Sequence, residues 1–427
     1  MSGTAVHSTD VQPTDVRPTD VHEPLALDTD PAAYLALHAA LDEAVSDALL
    51  DDRERAVRDR TREVVAEHVA PGAAARDRDH AFARDSYQAL ASAGLGGLLV
   101  PAEYGGTDDS TVAYAAAMEE ITAGCAATSL VFMTQMHAAY PVLHAGSAEL
   151  ARAHVPGLVD GSRLGALGVT EPGAGSDASS LRTLAVRTPD GYTLTGSKTF
   201  ITTGDKADVV VVFATLDPSA GRRGITAFLV DGDAPGLTRS APFAKMGMHA
   251  SSTAELFLDA TPVPASARLA GEGEGWAIVV SSVTKSRISA AAQGIGLARG
   301  AYAHALAALH RLHGPTLPAD VAFALAEMRG QILSGRLLLL QVAREVDRSG
   351  AATGGAIGLM KQNCTDIGWQ VAVAATKVLG RYGDLAVLGV ERYLRDAKVT
   401  QIYDGTNEVQ RLLVARDTAG RVREVLR

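Results

Sequence analysis

The spacing of apolar and polar positions changes character twice along the chain. From residue 31 to about 156 it is helical. In residues 51–70, Val57, Val64, Val65 and Val69 recur on a charged background, the amphipathic period of a surface helix. Residues 85–94 predict a short helix ended by Gly94. Asp108-Asp-Ser110 offers an N-cap for a helix through Ala123, and residues 128–144 predict a further, more apolar one. From about 163 to 265 the pattern turns to strands. An apolar run at 164–169 predicts a buried strand, residues 184–188 and 192–196 a hairpin around Pro189-Asp-Gly191, and residues 207–213 and 224–230 two Val- and aromatic-rich strands. Gly271-Glu-Gly-Glu-Gly275 marks a boundary, after which residues 276–312 predict a long Ala-rich helix, with more helices to the end. Helical and strand regions are segregated rather than alternating, which argues for an α+β fold and against a parallel sheet. The expected division is a disordered tail at 1–30, a helical domain at 31–160, a β domain at 161–270 and a helical bundle at 271–427.

The tail expectation rests on Thr9-Asp-Val11, Thr14-Asp-Val16 and Thr19-Asp-Val21, a polar, Pro-spaced repeat too short to build a solenoid. The 427 residues are 47% hydrophobic, enough for a large core, and a net charge of −10 argues against nucleic-acid binding. Cys125 and Cys364, the two cysteines, form neither a metal spacing nor a disulfide framework. No apolar run approaches a membrane span and no signal-peptide pattern opens the chain, so a soluble, cytoplasmic protein is expected. His304, His310 and His313 share a helix without a carboxylate or Cys at ligand spacing, and no metal is expected there.

Thr170-Glu-Pro-Gly-Ala-Gly-Ser-Asp177 is an exposed loop whose backbone can approach a ligand closely. Gly173-Ala-Gly175-Ser-Asp-Ala178 fits a dinucleotide fingerprint, but that motif must open a helix, and a hairpin follows instead. The loop, followed by Gly196-Ser-Lys-Thr-Phe-Ile-Thr-Thr-Gly204, closely resembles the flavin-binding core of the acyl-CoA dehydrogenases. Residues 98–106, 245–258 and 395–411 resemble further segments of that family, so the resemblance covers about residues 45–420. It implies an N-terminal helical domain, a central β-barrel and a C-terminal four-helix bundle.

Residues 395–411 predict a helix, a Gly-broken turn and a second helix with Thr406 near its start. An acidic residue at such a turn either points into a cavity or caps the helix that follows, and the residues alone leave both open for Asp404. The resemblance places the catalytic base there, where most of the family carries Glu. The alternative position for a base, just before the arginine that Arg287 resembles, holds Ser286. The resemblance further implies that Val169, Thr170, Gly175, Ser176, Phe200, Thr202, Thr406 and Glu408 contact FAD. It assigns Arg311, Lys377 and Gly380 to the ADP half of a neighbour's FAD, on locally altered motifs. It also implies that Ser176, Arg287 and Gly405 border the substrate. The implied reaction is α,β-dehydrogenation of an acyl-CoA or acyl-carrier-protein thioester. Asp404 takes the α-proton, flavin N5 accepts the β-hydride, and the Asp404 N–H and the FAD ribityl chain bind the thioester oxygen. An electron-transferring flavoprotein and a homotetramer built as a dimer of dimers are the implied partners. Two alternatives stand beside this reading: a flavin oxidase or carrier-linked desaturase, and a catalytically silent flavin- or thioester-binding protein.

Overall fold

The computed structural model describes residue 37 and residues 44–314, 316–350 and 352–426; the tail expected at 1–30 lies outside them. Seven helices of the described residues precede the sheet: α1 (Ala44–Asp47), α2 (Asp52–Val64), α3 (Ala73–Asp79), α4 (Arg84–Ser92), α5 (Thr111–Gly124), α6 (Ala126–Ala145) and α7 (Ala148–Val159). Asp51 starts α2 with a capping box. Its carboxylate accepts from the Glu54 N–H at 2.8 Å, and the Glu54 carboxylate accepts from the Asp51 N–H at 2.9 Å. Past Val64 the chain widens into a π turn, Val65–Val69, so residues 51–70 are not one regular helix. The turn still buries Val65 and Val69 completely. Ser110 caps α5, its Oγ accepting from the Ala113 N–H. Helices α5 and α6 are apolar on nearly all sides because nearly all of their residues are buried.

The sheet comprises β1 (Gly165–Gly168), β2 (Leu184–Thr188), β3 (Gly191–Thr202), β4 (Val209–Thr215), β5 (Ile225–Asp231), β6 (Leu237–Arg239), β7 (Thr253–Pro264) and β8 (Arg268–Leu269). Its order is β6-β7-β3-β2-β4-β5-β8, with β1 beside β4. It is antiparallel except where β1 and one residue of β2 meet β4. The predicted hairpin is present, Thr188 paired with Gly191. Strand β3 runs on to Thr202, past the predicted end. Its pairing with β7 shifts register at Leu194/Gly196 and again at Lys198/Ile201, and such irregularities erase the alternation that a strand reading depends on. Strand β4 is buried on both faces. Val210 and Val212 join a core within the sheet domain with Leu194, Phe228 and Leu256, while Val209, Val211 and Phe213 pack toward Val142 of α6 and Leu158 of α7.

Helices α8 (Gly275–His313), α9 (Ala319–Ser349), α10 (Gly354–Val378), α11 (Val390–Thr400) and α12 (Asn407–Val425) complete the chain. Helices α8 and α10 cross almost backbone to backbone. A Cβ on Gly294 would lie 2.4 Å from the Cys364 carbonyl oxygen, and one on Gly368 would lie 2.7 Å from that of Gly294. Cys125 and Cys364 are buried free thiols.

Between the two helical regions lies a buried charge cluster. Glu119 and Glu120 of α5 accept from Arg299 of α8 at 3.3 and 3.0 Å. Glu119 also accepts from Arg336 of α9 at 2.9 Å, and Glu120 from Arg62 of α2 at 3.1 Å. Burial works to raise the Glu120 carboxyl pKa, but Arg299 and Arg62 outweigh it and hold the group well below the usual carboxylate range. Removing one member of such a cluster strands a buried charge, at a cost of about 3–5 kcal/mol.

Candidate active site

Two groups of residues singled out in the sequence come together locally. The first is the loop after β1. Its Glu171 turns inward and is nearly closed to solvent. The carboxylate accepts from the Arg182 N–H at 2.6 Å, from the Thr183 N–H at 3.0 Å and hydroxyl at 2.6 Å, and from Lys198 Nζ at 2.7 Å. Lys198, 0% exposed, also donates to the Val169 carbonyl at 3.2 Å. Burial pushes the Lys198 ammonium down to about 8 against the pull of Glu171. The Thr199 N–H donates to the Thr170 carbonyl at 2.9 Å, which ties the glycine loop to the end of β3. Val169, Thr170 and Thr202 are half-buried, and Gly175 and Ser176 are exposed.

The surface so formed fits a large flat ring with a polar edge. Phe200, held at φ 56°, is 68% exposed and leans on Phe243 with ring centroids 5.4 Å apart. Thr203, also at positive φ, has a buried hydroxyl with no partner among the described residues. Nothing lies within 4 Å of a Cβ built on Gly173 or Gly175, so the loop leaves open space beside its backbone. These features suit the isoalloxazine of FAD.

The second group is the turn between α11 and α12. Thr406 caps α12, its Oγ1 accepting from the Val409 N–H at 3.3 Å, so Asp404 is not the helix cap. Asp404 and Gly405 both have positive φ, 56° and 88°. Every carbonyl of this pair is held: Arg287 Nε donates to the Asp404 oxygen at 3.2 Å, and Lys361 Nζ and Gln410 Nε2 donate to the Gly405 oxygen at 3.1 and 2.8 Å. Lys361 also donates to Asn407 Oδ1 at 2.9 Å. Burial lowers the pKa of both cations, Lys361 to about 8, while the Asp404 charge opposes that. Asp404 Oδ2 is closed to solvent and has no hydrogen-bond partner among the described residues. Glu408, on the first turn of α12, is exposed. Ser286, just before Arg287, donates its hydroxyl to the Val283 carbonyl at 3.0 Å.

Helix α6 is a wall common to both groups. Gln135 accepts from the Gly165 N–H at the start of β1 at 2.7 Å, and two residues on His137 feels the Asp404 charge. Glu171, Lys198, Lys361, Gln410 and His137 were not foreseen from the sequence. A lone histidine in a largely apolar helix was the available signal for His137; Lys198 and Lys361 sit among polar neighbours and carried none.

Arg311, Lys377 and Gly380 are not brought to either group. Arg311 sits in the last turn of α8 and Lys377 in the last turn of α10, with Gly380 just beyond at φ 53°. At 1.5 Å per residue, Arg311 lies roughly 36 Å along α8 from Arg287. His304 is half-buried, its Nδ1 3.0 Å from the Leu388 carbonyl, and desolvation with Arg392 nearby takes it down to about 3.

Models of the acyl-CoA dehydrogenase N-terminal, middle and C-terminal domains match residues 51–162, 166–261 and 273–419. An acyl-CoA dehydrogenase of Bacillus subtilis is 36% identical over 369 residues, 85% of this chain and 97% of its own. The solved butyryl-CoA dehydrogenase from Megasphaera elsdenii superposes with a TM-score of 0.83 at 33% identity, covering 87% of this chain and 99% of that one. The prolyl acyl carrier protein oxidase AnaB superposes at 0.80 with 30% identity, covering 86% and 99%.

Proposed function

This chain belongs to the acyl-CoA dehydrogenase family, and from that premise we propose that Asp404 is the base that removes the α-proton of its acyl thioester. It is an FAD-dependent oxidoreductase that acts on a carbon–carbon bond of an acyl-CoA. The observation that carries the proposal is Asp404 Oδ2, a buried carboxylate oxygen with free lone pairs on a turn whose carbonyls are pinned by Arg287, Lys361 and Gln410. An acceptor held in this way is oriented toward the α-carbon before substrate arrives. The Asp404 N–H donates to the thioester oxygen and stabilises the charge that develops there. Arg287 and Gly405 shape that end of the pocket, and Ser176 borders it from the glycine loop. When bound, FAD supplies the acceptor for the β-hydride. Val169, Thr170, Gly175, Ser176, Phe200, Thr202, Thr406 and Glu408 hold its ring. Electrons leave to an electron-transferring flavoprotein.

Anaerobic mixing with a panel of acyl-CoA and acyl-carrier-protein thioesters tests this. Bleaching of the flavin by at least one of them is expected, and none would leave a silent binding protein. The likeness to AnaB favours one second reading, an oxidase acting on a carrier-bound substrate. Stoichiometric peroxide during turnover would select it.

The purified protein is expected to be yellow with one FAD per subunit. A folded, colourless preparation that takes up no added FAD would contradict the ring site. We also expect a tetramer, because the family resemblance assigns Arg311, Lys377 and Gly380 to a neighbour's ADP moiety, and Arg311 stands at the far end of α8 from Arg287. Sedimentation of an FAD-loaded monomer would refute that arrangement.

A further inference from the structure

One buried polar atom near the reacting end has no role in the chemistry above. His137 lies on α6 and Nε2 of its ring is closed to solvent with no hydrogen-bond partner among the described residues. An unpaired buried group of this kind costs about 1–3 kcal/mol, so it persists where something else uses it. Two tyrosines in electrostatic range of Asp404 are already paired. Tyr114 of α5, which also feels the Asp404 charge, pairs its hydroxyl with Ser289 Oγ of α8 at 2.9 Å. Tyr403 donates to Gln293 Oε1. Asp404 Oδ2 and His137 Nε2 are thus two unpartnered buried polar atoms within electrostatic range of each other. Burial keeps the His137 ring neutral at pH 7, so it offers one N–H and one lone pair.

We propose that His137 hydrogen-bonds a polar substituent of the acyl group, and so selects thioesters that carry a hydroxyl, ether or carbonyl oxygen or a ring nitrogen beyond the α-carbon. The inference rests on the reading of Asp404 as base, which fixes where the α-carbon sits. A hydrocarbon acyl chain leaves Nε2 unpaired and is discriminated against, as a site built for a polar group rejects the analogue that lacks it.

The test uses matched CoA thioesters, butanoyl against 4-hydroxybutanoyl and cyclohexanecarbonyl against tetrahydropyran-4-carbonyl, with anaerobic flavin reduction as the readout. The FAD-loaded wild type is expected to favour the polar member of at least one pair by about tenfold or more in rate over apparent Kd. His137→Phe should abolish or reverse that preference while still reducing with the apolar member, and His137→Gln should keep part of it. A wild-type ratio of one or below in both pairs overturns the proposal, as does a ratio unchanged in His137→Phe. If His137→Phe does not fold, the wild-type ratios and His137→Gln decide. Good reduction by apolar thioesters with no preference sinks this inference alone, whereas no reduction by any thioester sinks the Asp404 reading and this with it.

Discussion

Asp404→Asn is expected to retain FAD and bind thioester, yet to lose at least about two orders of magnitude in the rate of flavin reduction, the usual worth of a general base. The amide is nearly the same shape as the carboxylate but has no lone pair basic enough to take the α-proton. The fold should tolerate it, because Asn is as comfortable as Asp at the left-handed φ of 56° and the contacts from Arg287, Lys361 and Gln410 are to backbone oxygens. No second base replaces it at the neighbouring position, where Ser286 spends its hydroxyl on Val283. Asp404→Glu tests reach. Its added methylene moves the carboxylate by about 1 Å, a misplacement able to cost about a hundredfold where the pocket is fitted to Asp. Measurable activity should remain, and on simple straight-chain acyl-CoA it could exceed that of wild type. Rapid-mixing flavin reduction decides between these outcomes; a near-normal rate in the Asn variant would place the base elsewhere.

The second large effect is expected at Glu171. Replacing it with Gln leaves Lys198, which has no exposure, without its countercharge, and breaking a buried pair from one side costs about 3–5 kcal/mol. The loss is not confined to stability. Glu171 also anchors residues 182–183, and Lys198 holds the Val169 carbonyl, so the loop proposed to line the flavin ring should loosen and FAD should dissociate more readily. The double variant Glu171→Gln, Lys198→Met removes the stranded charge and should recover much of the stability. Denaturant unfolding and FAD titration read the two effects separately; a single variant as stable as wild type would mean that the pair contributes nothing.

Local signals carried much of the fold in the sequence. Ser110 was recognisable as a cap, Pro189-Asp-Gly191 as a hairpin turn, and the stretches that became α5 and α6 as helices, because each depends on neighbours within a few residues. The π turn at Val65–Val69 and the bulged end of β3 were not legible, since both break the periods that a sequence reading counts. The same division holds in the site. Asp404 stood out by its turn, but whether it capped α12 was open until Thr406 was seen in that role. Lys361 was invisible as a partner of Gly405 because its meaning depends on a turn 44 positions further on. The pairing of Glu171 with Lys198 likewise needs the tertiary contact that brings the glycine loop beside β3.

The carboxylates of Glu119 and Glu120 have a history as well as a place. On a growing chain they emerge long before Arg299 and Arg336, which lie 180 and 217 positions later. At about 5–20 residues per second the ribosome takes roughly ten to forty seconds to make those arginines. During that interval Glu119 lacks both of its arginines, Glu120 has only Arg62, and α5 carries an apolar surface part of whose covering helices do not yet exist. The N-terminal region therefore cannot reach its final packing as it is made, and the last step of folding falls to the C-terminal helices, which supply the missing countercharge and the missing apolar wall together.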